Sequence, residues 1–483
     1  MITFIIPHHT FQKDDKFTTG IIYMPVQLAY VFGFLKSKKI QYEVIDTFGE
    51  DPDNLIESQN FFLMGLDPDI ILSKVSQNTD YIFIFANHII NFRSIQLIYE
   101  SIIKDKNLSN KKLILIENTQ SVTGFSLDDF NKKSDIKFDY IFKGDPELKI
   151  LDLVNRNIHN EDRDVLNIEN QIIPDWSKIP LEKYWKLGHA HGPLTKKKYL
   201  PILSSRGCPY PCKFCVIPHT NNRRWRARDP IDVFEELKYL YKTFNVEEFH
   251  FEDLNPTVND KRVKELCQLL INSEIKINWK IVAGTKVESI KSEETVRLMK
   301  KAGCEYVSIS PESGSKKILK KMEKPFDLNH ANKIIKYFNK YGIKSQGCFV
   351  FGFPEETLAD LLKTYLLILK LTIHGMDEIA IFIITPIPGS GIEKEFNLDE
   401  LKYSEMTFSP VWRKDYFLYY FSRLFSYFSF LSIKFIFHPI KFFKNILNFY
   451  FKKFELKMEM VPYKYIKYRN LSKNYHKNLP TKI

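Results

Sequence analysis

Short apolar runs alternate with helix-like segments through the first third of the chain. Helical periodicity covers residues 26–35 and 94–103, and Gly144-Asp145-Pro146 opens a further helix that extends to Leu153. This alternation predicts a doubly wound parallel sheet over residues 1–155. Ligands of such sheets bind outside the carboxyl ends of the strands. The apolar runs that predict its strands are residues 2–6, 42–45, 80–85, 112–116 and 138–142.

A second alternation of the same kind begins after a segment that contains prolines. Pro174 and Pro180 argue against a long helix between residues 156 and 195, which are therefore predicted as a linker. Six further β/α units predict a partial TIM-type (β/α)6 barrel over residues 196–395, with functional groups at the carboxyl ends of its strands. The predicted strands are residues 200–203, 248–251, 278–282, 306–309, 347–351 and 378–384, and the predicted helices are residues 231–244, 261–271, 293–301, 329–341 and 357–371.

The last part of the chain, residues 396–483, is predicted as an aromatic, basic and helical C-terminal tail. From Val411 onward it holds 22 of the 70 aromatic residues, and 15 Lys and Arg against 3 Asp and Glu. The longest uncharged stretch near its centre, residues 424–433, has 10 residues, whereas a membrane-spanning helix needs about 20. Two interpretations remain: helices that pack on the barrel with their lysines outward, and helices that lie in a membrane interface.

The composition is typical of a globular protein with reduced thiols. Of the 483 residues, 44% are hydrophobic and 27% are charged, which excludes wholesale disorder and a multi-span membrane protein. Six cysteines are too few for a disulfide scaffold. The N-terminus has no signal-peptide pattern, so we expect a cytoplasmic protein. The formal charge of +12 is concentrated in the C-terminal tail, so we expect no nucleic-acid partner.

Three cysteines follow the first predicted barrel strand in one short loop. Cys208, Cys212 and Cys215 have the spacing C-x3-C-x2-C. A closed zinc site needs a fourth ligand, which is not evident nearby. Three thiolates on a [4Fe–4S] cluster leave one iron open to a substrate or cofactor. The other cysteines occur singly within predicted helices or strands, where they are expected to be core residues: Cys267, Cys304 and Cys348.

This loop, with the aromatic Phe214 before its last cysteine, resembles the cluster loop of the radical S-adenosylmethionine (SAM) superfamily. Four further segments follow strand ends in the order typical of that family, so that the resemblance covers residues 198–391. The resemblance implies that Cys208, Cys212 and Cys215 hold a [4Fe–4S] cluster. The four segments are residues 249–253, 308–314, 347–357 and 385–390.

The same resemblance implies where SAM binds. Glu252 or Asp253, after the second strand, would pair with the cationic amino group of SAM. Glu312 would accept hydrogen bonds from the ribose, and Ser310 lies in the same segment. Gly352 belongs to the segment beside the adenine. Phe214 completes the implied cofactor-binding set, and no catalytic side chain is named.

A doubly wound domain ahead of such a barrel resembles the cobalamin-binding architecture of class B radical SAM methyltransferases and related cyclases. Gly144-Asp145-Pro146-Glu147 resembles the Gly-Glu-x-Glu segment of that group. No Asp-x-His-x-x-Gly motif supplies a histidine ligand for cobalt. Residues 117–121 stand where the group often has a Gly-Gly pair, which lets the backbone approach the nucleotide tail. His8, His9 and His88 follow strand ends and could face a cofactor or serve as capping residues.

The resemblance therefore implies a radical SAM enzyme that cleaves SAM reductively to a 5′-deoxyadenosyl radical. The first hypothesis is cobalamin-dependent methyl transfer to an unactivated centre. The second is a cobalamin-independent cyclase, rearrangement or epimerisation enzyme, and the third is a non-catalytic iron–sulfur scaffold. The expected partners are a small-molecule or lipid-linked substrate and an external one-electron reductant of the flavodoxin or ferredoxin type. A peripheral contact of the C-terminal tail with the inner membrane face is a further expectation.

Overall fold

The structure is a computed structural model that describes residues 1–13, 21–156, 163, 165–167, 173–396, 403, 406–407 and 409–478, with side chains to Leu471. Much of the first half of the predicted linker, and the beginning and end of the predicted C-terminal tail, lie outside the described residues. The architecture is α/β, with a parallel sheet in the N-terminal part, a larger parallel sheet after it and helices at the C-terminal end.

The N-terminal part contains eight strands and six helices in its described residues. The strands are β1 Ile2–Ile6, β2 His9–Gln12, β3 Tyr42–Asp46, β4 Leu55–Ser58, β5 Phe61–Met64, β6 Tyr81–Ala86, β7 Lys112–Glu117 and β8 Tyr140–Phe142. The helices are α1 Val26–Ser37, α2 Thr47–Glu50, α3 Pro68–Lys74, α4 Phe92–Lys104, α5 Phe130–Lys133 and α6 Glu147–Val154.

Five of these strands form the predicted doubly wound sheet, in the order β3-β1-β6-β7-β8, with every neighbouring pair parallel. The direction of winding reverses between β1 and β6, so the ligand crevice of such a sheet lies at their carboxyl ends. In the middle of these two strands, buried Phe4 and Phe83 stack with ring centroids 4.9 Å apart. We call the carboxyl ends of β1, β6 and β7 the sheet edge.

A small antiparallel ribbon, β2-β5-β4, was not predicted. Its strands have four residues each, and the β4–β5 connection is Gln59-Asn60 rather than a glycine turn. Gln59 itself adopts a φ of 50°. Without alternation over a longer run or a turn signal, the sequence does not distinguish this ribbon from a loop.

The second parallel sheet forms the predicted partial barrel, in the order β9-β12-β13-β14-β15-β16. Along the chain, helix α7 Leu181–Lys186 follows the first sheet and precedes the second. The strands of this part are β9 Tyr199–Ile202, β10 Ser205–Arg206, β11 Arg226–Ala227, β12 Glu248–Phe251, β13 Asn278–Thr285, β14 Cys304–Glu312, β15 Lys344–Phe351 and β16 Glu378–Ile383. Its helices are α8 Ile217–Thr220, α9 Pro230–Phe244, α10 Asp260–Ile271, α11 Glu293–Lys301, α12 Lys316–Lys321, α13 Leu328–Tyr341 and α14 Leu358–Ile373.

Capping side chains fix where the main barrel helices begin. Each cap accepts a hydrogen bond from a backbone N–H in the first turn of its helix, and such a cap contributes about 1 kcal/mol. Thr357 forms a full capping box with Asp360 at the start of α14. Because each cap fixes the first residue of its helix, it also fixes where the loop from the preceding strand ends. These loops form the site. The other caps are Asp229, Asn259, Ser292 and Asp327.

Buried polar contacts join the two sheets. Arg206 forms ion pairs with Asp145 at 3.1 Å and with Glu147 at 2.8 Å. The hydroxyl of Tyr30 on α1 donates to Glu236 of α9 at 2.8 Å. The segment that resembles Gly-Glu-x-Glu therefore binds the residue two positions before Cys208, which anchors the cysteine loop to the N-terminal part.

Three helices end the chain: α15 Tyr416–Phe437, α16 Pro439–Phe451 and α17 Lys457–Asn478. Helix α15 packs against α14 and β16, as the first interpretation of this tail predicts. The expectation that its lysines point outward is wrong for Lys434, Lys457 and Lys464, which are buried. Large apolar side chains are exposed instead. None of the helices in the described part of the chain combines the length and the apolarity needed to cross a bilayer.

The start of α17 packs against three strands of the partial barrel, β13, β14 and β16. Lys457 donates its Nζ to the carbonyl of Val282 on β13 at 2.8 Å, and the backbone N–H of Met458 donates to Glu378 of β16 at 2.6 Å. Leu456 packs with Val282 and Tyr306 in a small buried cluster. A segment of the C-terminal tail therefore forms part of the barrel interior.

Candidate active site

A cavity of about 820 Å³ lies between the sheet edge and the carboxyl ends of the barrel strands. Side chains from the N-terminal part, the barrel and the C-terminal helices all line it. Both sheets direct their strand ends toward this space, which is the expected location of ligands in each of these folds. The cavity is therefore the candidate active site.

The three cysteines predicted to hold a cluster line this cavity together, and all are free thiols. Gly207, just before them, has a φ of +75°, and a Cβ there would lie 2.1 Å from the carbonyl oxygen of Arg224. Burial raises the pKa of Cys208 to about 11 and also raises that of Cys212 and Cys215. Since metals bind thiolates, cluster assembly would displace these protons. The donor set fits an iron–sulfur cluster.

Glu252 lines the cavity at the end of β12, where it pairs with a histidine from the segment before β9. Its Oε2 lies 2.6 Å from Nδ1 of His191. Burial raises the pKa of Glu252 to about 7, against the opposing charges of His250 and Lys457. Burial also lowers the pKa of His191 well below its usual value. A cationic ligand in the cavity would favour the ionised form of Glu252.

Asp253, the alternative partner for the SAM amino group, is placed differently. Its carboxylate is fully buried and accepts hydrogen bonds from the Ser204 backbone at 2.9 Å and from the Ser204 and Ser205 hydroxyls at 2.7 and 2.6 Å. It is not among the residues that line the cavity. Asp253 therefore supports the backbone ahead of the cysteine loop, and Glu252 is the acid that faces the cavity.

Ser310 and Glu312 of β14 also line the cavity. Glu312 accepts a hydrogen bond from the Nζ of buried Lys324 at 2.7 Å and has a φ of 62°. The neighbouring charge of Glu312 raises the pKa of Lys324, which overcomes the opposing effect of burial. Only one Glu312 oxygen is engaged in this pair, so its carboxylate retains acceptor capacity toward a ligand hydroxyl.

The two remaining predicted cofactor residues differ in position. Phe214 lines the cavity beside the cysteines. Gly352 does not line it; its φ is +79°, and its carbonyl accepts a hydrogen bond from Arg413 at 2.9 Å. A Cβ at this position would lie 3.0 Å from both Arg413 and Tyr419. The glycine thus allows the stretch before α15 to pack against the end of β15.

The histidines at the sheet edge are not equivalent. His8 is buried with both ring nitrogens bonded, to Ser94 at 2.7 Å and to the carbonyl of Leu66 at 2.8 Å. His9 packs against Phe48. His88 alone of the three lines the cavity. Its Nδ1 bonds Thr123, which would leave Nε2 for a ligand.

The loop after β7, which lacks the Gly-Gly pair, directs two of its side chains into neighbouring backbone. Asn118 donates to the carbonyl of Asn87 at 2.8 Å, and Gln120 accepts from the backbone N–H of Gly207 at 3.2 Å. Ser121, Val122 and Thr123 also line the cavity. The sheet edge therefore presents polar side chains to the cavity, which suits a polar cofactor.

Three functional candidates escaped the sequence reasoning. His191 falls in the predicted linker, and Lys457 lies 67 residues after the last SAM-site segment, residues 385–390. Tyr23 lies between His88 and His191, with its ring centroid 4.5 Å from each. No local spacing links these residues to the cysteine loop, so the sequence carried no signal for them. Of the cysteines expected in the core, Cys267 and Cys304 are buried, whereas Cys348 lines the cavity.

Comparison with known proteins identifies the family of the barrel. Residues 202–368 match the family model of the radical SAM superfamily. This part of the chain is a radical SAM domain, and the resemblance found in the sequence is confirmed. Among curated relatives, the "uncharacterized methyltransferase PH0819" of Pyrococcus horikoshii is 30% identical over 226 residues, which cover 47% of this chain and 46% of that protein.

A second relative has a different activity in its name. The anaerobic magnesium-protoporphyrin IX monomethyl ester cyclase of Rubrivivax gelatinosus is 31% identical over 197 residues, which cover 41% of this chain and 34% of the cyclase. The matched stretches thus span less than half of either relative. These matches connect the chain to both methyltransferases and cyclases without deciding between them.

Two solved structures are similar in fold over more than four fifths of this chain. The radical SAM methyltransferase TsrM from Kitasatospora setae, solved with tryptophan and a SAM analogue, has a TM-score of 0.58 at 15% identity and covers 81% of this chain and 75% of its own. OxsB, solved with aqua-cobalamin and SAM, has a TM-score of 0.57 at 18% identity and covers 84% and 54%. The predicted α/β fold is confirmed, and it is shared with TsrM and OxsB.

Proposed function

We propose that this chain is a radical SAM enzyme that transfers a methyl group to an unactivated centre with the help of cobalamin. The observation that carries the proposal is the meeting of Cys208, Cys212, Cys215, Glu252 and Glu312 around one cavity, which the sheet edge faces from the other side. The proposed division of the chain is a cobalamin-binding-type domain at 1–155, a linker at 156–195, the core barrel at 196–395 and a helical region at 396–483.

The cysteine loop would hold a [4Fe–4S] cluster through its three thiolates. With SAM bound, the cluster supplies the electron that cleaves SAM to methionine and a 5′-deoxyadenosyl radical. The protein's own contribution is to hold the loop. Arg206 pairs with Asp145, and Asp253 accepts hydrogen bonds from the Ser204 backbone and the Ser205 hydroxyl just before the loop. An external one-electron reductant would be the source of the electron.

Glu252 would bind the amino group of SAM, and His191 holds its carboxylate in position. Glu312 would accept a hydrogen bond from a ribose hydroxyl while Lys324 orients it, with Ser310 beside it on the same strand. Phe214 would contact SAM next to the cluster, and Gly352 would keep the fifth strand end in place beside the adenine. Because the carboxylates are buried, their interactions with a cation are stronger than they would be in water.

The sheet edge would bind cobalamin through His88 and the loop that follows β7. Ser121 and Thr123 hold the ring of His88, since Nδ1 lies 2.5 Å from the Thr123 hydroxyl. Cobalamin would supply the methyl carrier. The alternative is a cobalamin-independent cyclisation or rearrangement, and the absence of glycine from residues 117–121, together with the cyclase relative, favours that second candidate.

The C-terminal helices support a peripheral contact with an anionic membrane surface. Helix α16 has no buried residue, and its aromatic and aliphatic side chains, with those of α15, form an exposed apolar face. Lys452 and Lys453 follow α16 and are exposed. Apolar side chains flanked by basic residues are typical of helices at the surface of anionic bilayers. We accordingly propose a cytoplasmic protein at the inner membrane face.

Reductive cleavage of SAM tests the proposed function. Anaerobically reconstituted protein with dithionite and SAM should form 5′-deoxyadenosine and methionine. Cys212→Ala should abolish the product, because it removes a cluster ligand. Cys267→Ala is the matched control, since Cys267 is a buried cysteine on α10 that does not line the cavity. Cleavage by the Cys212→Ala protein at the unmodified rate would refute the assignment.

A further inference from the structure

The cavity extends beyond the barrel toward the C-terminal helices, where its wall becomes largely apolar. We call this part the C-terminal arm. Its wall includes Ile379 and Ile381 of β16, Phe430 and Leu431 of α15, and Ile446 and Phe449 of α16. Two polar side chains of this wall donate to the protein itself: the Nζ of Lys434 donates to the carbonyl of Asp377 at 2.5 Å, and the amide nitrogen of Asn445 donates to Glu459. The arm thus offers a ligand mainly hydrocarbon contacts.

The arm reaches the protein surface between α15 and α16. Three residues of its wall are also partly exposed, namely Leu431 at 39%, Ile446 at 51% and Phe449 at 38%. Around this opening the surface is apolar, and Ile440 on α16 is 85% exposed. The same apolar face is the one proposed to contact a membrane. A hydrophobic molecule could therefore pass from the bilayer into the arm without crossing water.

We infer that the C-terminal arm binds the hydrocarbon chain of an amphipathic lipid substrate, whose polar end reaches the barrel. This inference rests on the proposed function, because it places the substrate in the same cavity as the cysteine loop. A small polar substrate would make no favourable contacts with an apolar arm that opens on an apolar surface. Lys452 and Lys453, exposed after α16, match the anionic surface from which such a lipid would be drawn.

Binding of cis-parinaric acid to the reconstituted full-length protein tests this inference, because the fluorescence of this long-chain fatty acid rises in apolar surroundings. The unmodified protein should bind one molecule per chain. Saturated fatty acids should displace the probe, and each methylene that enters the arm should tighten binding about fourfold. Affinity that does not depend on chain length, or binding of many molecules per chain, would overturn the inference.

Two tryptophan variants at the opening separate the arm from the surrounding surface. Ile446→Trp narrows the opening and should weaken binding of the probe at least about tenfold. Ile440→Trp is the control, since Ile440 lies on the same helix and does not line the cavity. Leu431→Trp approaches the opening from α15 and should act like Ile446→Trp. Equal affinity in all three variants would contradict the inference.

Failure of the lipid-binding inference can be distinguished from failure of the proposed function. Iron content and SAM cleavage are measured on the unmodified protein. An unmodified protein that binds the fatty acid with the expected chain-length dependence but neither assembles a cluster nor cleaves SAM would refute the proposed function and retain a lipid-binding arm. A protein that cleaves SAM but shows no chain-length dependence would refute the arm alone.

Discussion

His191 and Glu252 form a hydrogen bond in the wall of the cavity, with Nδ1 and Oε2 2.6 Å apart. The two residues come from the segment before the first barrel strand and from the end of β12, and neither is close to the cysteine loop in sequence. Their burial keeps His191 neutral and raises the pKa of Glu252 to about 7. The acid proposed to bind SAM is therefore half protonated near neutral pH.

This pKa predicts a pH-dependent affinity for SAM. Binding of a cationic amino group favours the ionised Glu252, so binding below pH 7 must release its proton. Affinity should fall about tenfold for each pH unit below 7 and level off above it. Calorimetry on the reconstituted protein in buffers of different ionisation enthalpy measures both the affinity and the released proton.

Glu252→Gln is the corresponding variant. It should bind SAM more weakly at pH 8 and lose the proton release, because the amide does not titrate. His250 and Lys457 also face Glu252, and their charges lower its pKa. The prediction fails if Glu252→Gln retains the full pH dependence, since another group would then be responsible.

The Glu312–Lys324 pair predicts a large loss of stability when one partner is removed. Both side chains are nearly fully buried, with Oε1 and Nζ 2.7 Å apart. Lys324→Met leaves the Glu312 carboxylate buried without its partner, which should lower the free energy of unfolding by about 3–5 kcal/mol. Chemical denaturation of the protein without cluster measures this loss.

Two further variants make the stability test specific. The double change Glu312→Gln with Lys324→Met should recover part of the loss, because no unpaired charge remains. The exposed pair of Glu293 and Lys340 is the control, and Lys340→Met should change the stability far less than Lys324→Met does, because solvent screens an exposed pair. A Lys324→Met protein as stable as the Lys340→Met protein would show that the buried pair does not stabilise the fold.

The exposed face of α15 predicts binding to anionic membranes. Phe428 is 70% exposed on α15, and Phe428→Asp places a charge on the surface proposed to enter the membrane interface. Flotation with vesicles of phosphatidylglycerol and phosphatidylcholine should recover the unmodified protein and much less of Phe428→Asp. Leu358→Asp is the matched control, because Leu358 is 68% exposed on α14. Equal flotation of the two variants would contradict membrane binding through this face.

Most of the architecture could be predicted because each parallel strand is a short apolar run. The run that begins at Glu248 matches its observed strand, and the helix predicted at residues 293–301 matches α11. Both faces of these strands are buried, which makes the runs continuous and easy to recognise. The ribbon β2-β5-β4 and the short α12 were missed because neither has a turn signal or a long periodic pattern.

The candidate site was only partly predictable. A cysteine loop is recognisable because its ligands are close in sequence, and strand-end acids follow from the barrel pattern. The sequence did not separate Glu252 from Asp253, because the orientation of neighbouring side chains at a strand end depends on where the strand stops. His191 and Lys457 reach the cavity through contacts between distant segments, which no local pattern specifies.

Metal content after reconstitution tests the central claim most directly. The full-length protein would be incubated anaerobically with iron, sulfide and hydroxocobalamin, desalted, and examined by visible spectroscopy with iron and cobalt counts. A cobalamin-dependent radical SAM enzyme should retain about four irons, from one cluster, and about one cobalt per chain. Four irons without cobalt would contradict the cobalamin assignment and favour the cyclase-type alternative, and a protein that retains no iron would contradict the account as a whole.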